Sequence, residues 1–442
     1  MPSKFASLTA CFAALVLAAC GAQPDIGTSV PVAGALPSVR HDAGPGSLIK
    51  HVIIIIQENR TPDNLFQGLP GADIASSGLN SHNQTIQLHP VLLEANYDPN
   101  HLHSSFLLDY AGGAMNGFNL EPMSGQCHRG KCAYGYVPRY EVVPYFDLAT
   151  QYAFADRMFG TNQGPSFPAH QYFISGTSTT APGGPLRAAD NPYRPGGGQG
   201  GGGCDAPLSE LVATIDASGF EGNPTYPCFD RPTLGDLLDA RGATWRYYEM
   251  SHGSGLWYAY DAIRHIRYGN DYANVVTPSQ LILNDISHGT LSNVSWVVPP
   301  GSASDHSGRN STGGPAWVSS IVNAVGASQY WNDCAIFIVW DDWGGWYDHV
   351  KPPVYNSYEL GIRVPLIVVS PYAKRGYVSH TQYEFGSILK FTEAAFKTGS
   401  LNTTDARANS LDDVFKFSRP QRPFVRIKAP PLRVDPTVPD TD

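Results

Sequence analysis

The chain has 442 residues, 42% of them hydrophobic, enough to bury one large core or two ordinary ones. A formal net charge of −9, with no Lys/Arg cluster, excludes nucleic acid as the main partner. Charged residues make up only 15% against 45 glycines and 36 prolines, a balance that suits an exported surface better than a cytosolic one.

At the N-terminus, Lys4 precedes the apolar stretch "FASLTACFAALVLAAC", which ends in small residues as an export signal does. Its last four residues, Leu17 to Cys20, resemble a bacterial lipobox. Residues 1–20 are therefore expected to be a lipoprotein signal peptide, with Cys20 carrying the lipid that would hold the chain to a membrane. Ordinary signal cleavage is the alternative, and the run is too short for a comfortable membrane span. Residues 21–47 read as a flexible tether, 48–425 as the globular domain, and 426–442, ending "DPTVPDTD", as a tail.

Inside the domain, apolar runs alternate with amphipathic ones. Four consecutive isoleucines in "HVIIIIQENR" predict a strand over 50–56 that is buried on both faces, as the central strands of a parallel sheet are. Further strands are predicted at 294–299, 335–340 and 364–369, and helices at 233–241, 315–329 and 382–397. In the last, Phe385, Ile388, Leu389 and Phe396 share one face. The alternation predicts an α/β fold with a mostly parallel central sheet flanked by helices. The glycine-rich stretch 181–204 lacks the Gly-Lys-Ser/Thr of a phosphate-binding P-loop and reads as a loop excursion.

Outside the cytosol the cysteines are expected as disulfides, Cys127 with Cys132 and Cys204 with Cys228 by proximity, leaving Cys334 as a buried thiol. Zinc binding by these cysteines has no C-x-x-C pair to support it.

Ligands of open α/β sheets bind beyond the carboxyl ends of the strands. The first strand ends in Glu58 and Asn59, and the strand at 335–340 ends in Asp341 and Asp342. Alone, either pair could cap a helix or make a turn. Brought together they form a hard anionic oxygen cluster that needs a cation. A third element, "TNQGPSFPAHQYFISGT", sets Ser166 between prolines ahead of a predicted helix, where the positive N-terminal potential favours an alkoxide and an incoming phosphate. A helix cap is the plainer role for that hydroxyl. The second glycine of a G-x-S-x-G elbow is missing, which argues against an α/β-hydrolase triad.

The motifs "ENRTPDNLFQG", "GPSFPAHQ", "WDDWGGWYDHV" and "RVPLIVVSPYAKRGYVSHTQYEFGSILKF" resemble those of the bacterial phosphoesterase family of phospholipases C and acid phosphatases, in the alkaline phosphatase and sulfatase superfamily. The resemblance spans about residues 50–425 and makes 48–425 a phosphoesterase domain. It implies one divalent metal ion, bound by Glu58, Asn59, Asp341, Asp342 and Ser166, and Ser166 as the nucleophile that becomes a phosphoserine. Serine where phospholipase members more often carry threonine, and Asp-Asp where many carry Asp-Glu, weaken transfer of the phospholipase label and leave the phosphoesterase chemistry intact. An oxygen-rich set suits Mg²⁺, Ca²⁺ or Mn²⁺, and Zn²⁺ less well.

Of the 14 histidines, His306 and His349 are the expected proton donors, and His170, His103 and His252 are expected to bind substrate. The expected partners are a phosphate ester, phospholipid among the options, and a membrane reached through the lipid anchor. Two alternatives stand beside this reading. A sulfatase or phosphonate hydrolase of the same superfamily is disfavoured because "SFPAH" lacks the arginine of the sulfatase C/S-x-P-x-R sequence. A catalytically inactive surface-binding lipoprotein is disfavoured because every motif residue is present.

Overall fold

In the computed structural model, which describes residues 44–127 and 130–440, the isoleucine run forms strand β1 (His51–Gln57), buried from Val52 onward. The expected signal peptide, Cys20 and the tether up to residue 43 lie outside the described residues. The other strands of the central sheet are β2 (Ala153–Phe159), β3 (Trp245–Tyr248), β4 (Val275–Val276), β5 (Val294–Val297), β6 (Cys334–Trp340), β7 (Arg363–Val369) and β8 (Tyr377–Ser379). Their spatial order is β4-β3-β5-β1-β6-β7-β2-β8.

β1 lies between two parallel neighbours, β5 and β6, and is buried on both faces, as central strands of a covered parallel sheet are, which is why its side chains are apolar on each. The sheet is mostly parallel, as expected, with β7 antiparallel to both β6 and β2. Residues 341–362 return the chain to the same end of the sheet without a crossover helix, and only an antiparallel neighbour can follow such a link. Pro365 sits inside β7 where the register with β2 shifts, because proline has no N–H for the ladder.

Five helices matter here: α1 (His103–Tyr110), α2 (Ser166–Ser175), α3 (Leu234–Asp239), α4 (Gly314–Gly326) and α5 (Phe385–Phe396). The last three match the amphipathic runs of the sequence. Thr233 and Asp236 close a capping box at the start of α3. The segment read as a tail packs against this body. Ile427 is buried, and its backbone N–H and C=O both bond the Asn323 amide of α4, at 2.8 and 2.9 Å. Farther on, the Asp435 N–H donates to Ser302 at 2.9 Å. The expected disulfides Cys127–Cys132 and Cys204–Cys228 are present, and Cys334 is buried and free. No helix of the described residues is long and apolar enough to cross a membrane.

Candidate active site

Buried apolar strands force their polar groups to the ends, and β1 and β6 end side by side. The Asp341 N–H donates to Gln57 O at 2.9 Å, so the two strand exits leave the sheet in register. Asn59 then adopts φ 63°, a left-handed conformation that asparagine tolerates better than most residues. Gly344, in the turn after β6, lies so close that a Cβ there would sit 2.4 Å from Asn59 O, which explains the glycine of "WGGW".

Backbone N–H groups aim the carboxylates. Asp341 Oδ1 accepts from the N–H groups of Asn59 (3.0 Å) and Asp342 (2.8 Å), and Asp342 Oδ1 accepts from Gly344 N–H (2.6 Å). One oxygen of each aspartate is thereby tied to the backbone. Glu58 spans two partners: Oε2 accepts from the Ser166 hydroxyl at 3.1 Å, and Oε1 lies 3.1 Å from His170 Nε2.

Ser166 opens α2, but Pro165 is the N-cap and no side chain caps the helix. The serine hydroxyl is therefore not a helix cap; it sits 3.1 Å from Glu58 and 3.5 Å from Asp342 Oδ2. His170, one turn along the same helix, joins the cluster and approaches Asp341 Oδ2 to 3.9 Å. Ser166 is fully buried. The glycine-rich excursion packs against the next residue: a Cβ on Gly202 would lie 2.2 Å from the ring of Phe167.

The fit to a metal ion can be tested on the polar atoms. Asn59 Oδ1 and Asp341 Oδ2 are buried and make no hydrogen bond. Ligand atoms of Glu58, His170 and Asp341 all lie within 4.8 Å of one another. Glu58, Asp341 and Asp342 bring three buried carboxylates to one place, and a divalent cation would offset their mutual repulsion. These residues fit such an ion.

The arrangement joins the first, second and third motifs of the sequence, and residues 49–399 match the Phosphoesterase family. The chain belongs to that family. Among its relatives, it is 24% identical to the non-hemolytic phospholipase C of Burkholderia pseudomallei, over 87% of this chain and 62% of that one. It is 25% identical to the hemolytic phospholipase C of Pseudomonas aeruginosa, over 86% and 58%. Phospholipase C B of Mycobacterium tuberculosis is 21% identical, over 90% and 84%. The chain thus spans about 60% of the length of the first two. A solved protein in the alkaline phosphatase superfamily, from Vibrio parahaemolyticus, aligns over 83% of this chain and 72% of its own with TM-score 0.40 and 10% identity.

Within this phosphoesterase-family chain the remaining histidines separate. His306 is buried on the loop after β5, its Nδ1 2.7 Å from Ser307 O and its ring 5.8 Å from that of His101. Its loop is built into the cluster, since Ser304 O accepts the Glu58 N–H at 2.9 Å. His349 is held elsewhere. Its Nδ1 and Nε2 lie 2.8 and 3.0 Å from Asp63 and Asp73. Burial alone would lower its pKa, but the Asp63 hydrogen bond and charge, with Asp348, raise it to about 9. An imidazolium locked between carboxylates is a poor proton donor to a leaving group. Asp348 takes the Arg363 guanidinium on both oxygens at 2.9 Å.

His103 and His252 also fall outside the cluster. His103 bonds Glu221, and its ring packs on Phe106 and Tyr358. His252 is 48% exposed and 4.0 Å from Glu249. A polar loop carries no information about which end of the sheet it will reach, so both were beyond sequence pattern.

The residue that pattern reasoning missed is His101. Its Nδ1 lies 3.0 Å from Pro99 O, which can only accept, so that nitrogen carries the proton and Nε2 accepts from Asn59 Nδ2 at 3.1 Å. This fixes the amide so that Asn59 Oδ1 stays directed away from His101. His101 also lines a cavity of about 370 Å³ together with Asp98, Asn100, Asn191 and Gln199. Asn191 in turn accepts the Phe167 N–H at 2.9 Å, so the cavity borders the start of α2. Asp305, the residue before His306, receives Tyr145 (2.7 Å) and Trp340 (3.2 Å), and burial raises its pKa to about 6.

Proposed function

We propose that this chain is a metal-dependent hydrolase of phosphate esters, of phospholipase C or acid phosphatase type, acting through a phosphoserine on Ser166. The observation that carries the reading is the pair of buried atoms without a hydrogen bond, Asn59 Oδ1 and Asp341 Oδ2, beside a serine hydroxyl 3.1 Å from Glu58. The ion would be held by Glu58, Asn59, Asp341 and Asp342 with Ser166, and His170 is within reach to join them. When bound, it would lower the pKa of the serine hydroxyl and neutralise charge on the phosphoryl group.

The protein's own groups do the rest. Glu58 Oε2 accepts the Ser166 proton as Oγ attacks phosphorus, and His170 steadies the other carboxylate oxygen. The P–O bond to the leaving alcohol breaks as the Ser166 Oγ–P bond forms. Water later cleaves the Oγ–P bond, releasing phosphate from a monoester substrate or the remaining phosphate monoester from a diester. His306, beside His101 at the cavity, is the candidate donor to the departing alkoxide. The cavity admits the alcohol portion of the substrate, and phospholipid is a member of that class. Export and acylation of Cys20 belong to the same reading; the two disulfides support an oxidising compartment.

Hydrolysis of p-nitrophenyl phosphate and p-nitrophenyl phosphorylcholine by purified protein tests this. Turnover is expected to vanish on chelation and to return with one of Mg²⁺, Mn²⁺, Ca²⁺ or Zn²⁺. Inactivity on both esters with every metal resupplied would overturn it.

A further inference from the structure

Exposed large hydrophobic side chains are unevenly spread over the described residues. Thirteen are exposed, and ten fall within 79–143 and 191–220, stretches that make up under a quarter of the described chain. Scattered leucines on a surface need no explanation. Three of them, Leu107, Leu108 and Leu120, fall on the stretch 102–123, whose two ends wall the cavity beside His101.

The connection is continuous along one lobe. Leu102 lines the cavity and is the N-cap of α1. From that helix Leu107 and Leu108 are 53% and 40% exposed. Gly117 packs on the Leu108 backbone, where a Cβ would sit 1.7 Å from Leu108 O, and the Leu120 N–H donates to Gly117 O at 2.8 Å. Leu120, 53% exposed, thus lies next to α1, and Pro122 and Met123 lead the chain back to the cavity wall. The lobe is fixed to the site from below, since Trp343 Nε1, one residue beyond Asp342, donates to buried Asp109 at 2.9 Å. Segment 79–143 carries five acidic and three basic residues, so it offers no polybasic attraction to anionic lipid.

We propose that α1 and the 114–123 loop form a docking surface for a zwitterionic phospholipid bilayer, with Leu107, Leu108 and Leu120 entering the interface beside the cavity. The surface rests on the phosphoesterase reading and extends it: a small water-soluble ester needs no apolar track to the cavity, whereas the glycerol and acyl portion of a lipid does.

The test uses the full-length chain carrying Cys20→Ser, to remove the expected anchor, and Ser166→Ala, to remove turnover. Co-sedimentation is measured with phosphatidylcholine vesicles and with vesicles containing phosphatidylserine. Adding Leu107→Ser, Leu108→Ser and Leu120→Ser is expected to weaken partition to phosphatidylcholine about tenfold or more. With Ser166 restored, the triple variant is expected to keep its rate on p-nitrophenyl phosphorylcholine within about twofold, since exposed substitutions cost little. Its rate on phosphatidylcholine vesicles should fall with the binding. Equal sedimentation of parent and triple variant overturns the proposal. So does binding confined to anionic vesicles, or a triple variant that loses only self-association. Vesicle binding that depends on the leucines in a protein inactive on both soluble esters would support this surface while overturning the catalytic reading.

Discussion

Two clusters among the described residues have the same composition, a histidine and two carboxylates within metal-binding reach: Glu58, His170 and Asp341, and Asp63, Asp348 and His349. The second is already balanced. Arg363 holds Asp348 through two hydrogen bonds of 2.9 Å and stands 3.5 Å from Asp63, while Arg157 reaches Asp73 at 2.8 Å. In the first, backbone N–H groups tie one oxygen of each aspartate, and Asp341 Oδ2 and Asn59 Oδ1 are left without a hydrogen bond. Ligand-type residues alone do not distinguish a metal centre from an ion-pair network. What distinguishes them here is that a guanidinium holds the second cluster, while Asp341 Oδ2 and Asn59 Oδ1 of the first make no hydrogen bond.

Four measurements can break or sharpen that contrast. The largest effect is expected from Ser166→Ala, which should lower turnover on p-nitrophenyl phosphate by about 10³-fold or more while the protein still unfolds cooperatively in urea. Full activity would detach the serine from the chemistry. Next is Arg363→Met, which strands Asp348 and Asp63 in the interior. Urea unfolding should show a loss of about 3–5 kcal/mol, with metal affinity of the folded protein unaffected. A drop in metal affinity there would mean that the two clusters are not separate.

A smaller effect is expected from His101→Ala, which frees the Asn59 amide to rotate. Calorimetric titration with metal should find affinity reduced about 10–100-fold, in the range seen when the partner orienting a metal ligand is lost. Equal affinity would show that His101 does not hold Asn59 for the ion.

The smallest concerns pH. The folded-state pKa of His349, about 9, lies above its ordinary value of 6.5, so its contribution to stability is full below about pH 6.5 and is lost as pH rises through 9. The urea midpoint of wild type should therefore fall between pH 6.5 and 9.5 by more than that of His349→Gln. Parallel curves would place the proton elsewhere.

Much of the fold was legible because buried strands leave unbroken apolar runs. β1, β6 and β7 lie within a residue of where "IIII", "AIFIVW" and "VPLIVV" put them. The strand-end pairs Glu58–Asn59 and Asp341–Asp342 stood out for the same reason, since oxygen-bearing side chains abruptly follow such runs. The reversal of β7 was not legible, because an antiparallel strand buried on both faces has the same pattern as a parallel one. The histidines were less legible still. His170 could be reached by helical spacing from Ser166, but His101 and His306 arrive from loops more than 200 residues apart. The 426–440 segment reads as a tail because it has little periodicity, yet side-chain hydrogen bonds from Asn323 and Ser302 dock it.

The sequence by itself determined the α/β class, the two disulfide pairs and the oxygen-rich groups at the strand ends, because local patterns of burial and residue chemistry suffice for these. Only the tertiary structure decided that Asp341 Oδ2 and Asn59 Oδ1 are buried without a hydrogen bond, that Ser166 is enclosed, and that His101 rather than His349 borders the cluster. Those are properties of side chains converging from distant positions, and the balance of buried charge exists only once they have converged.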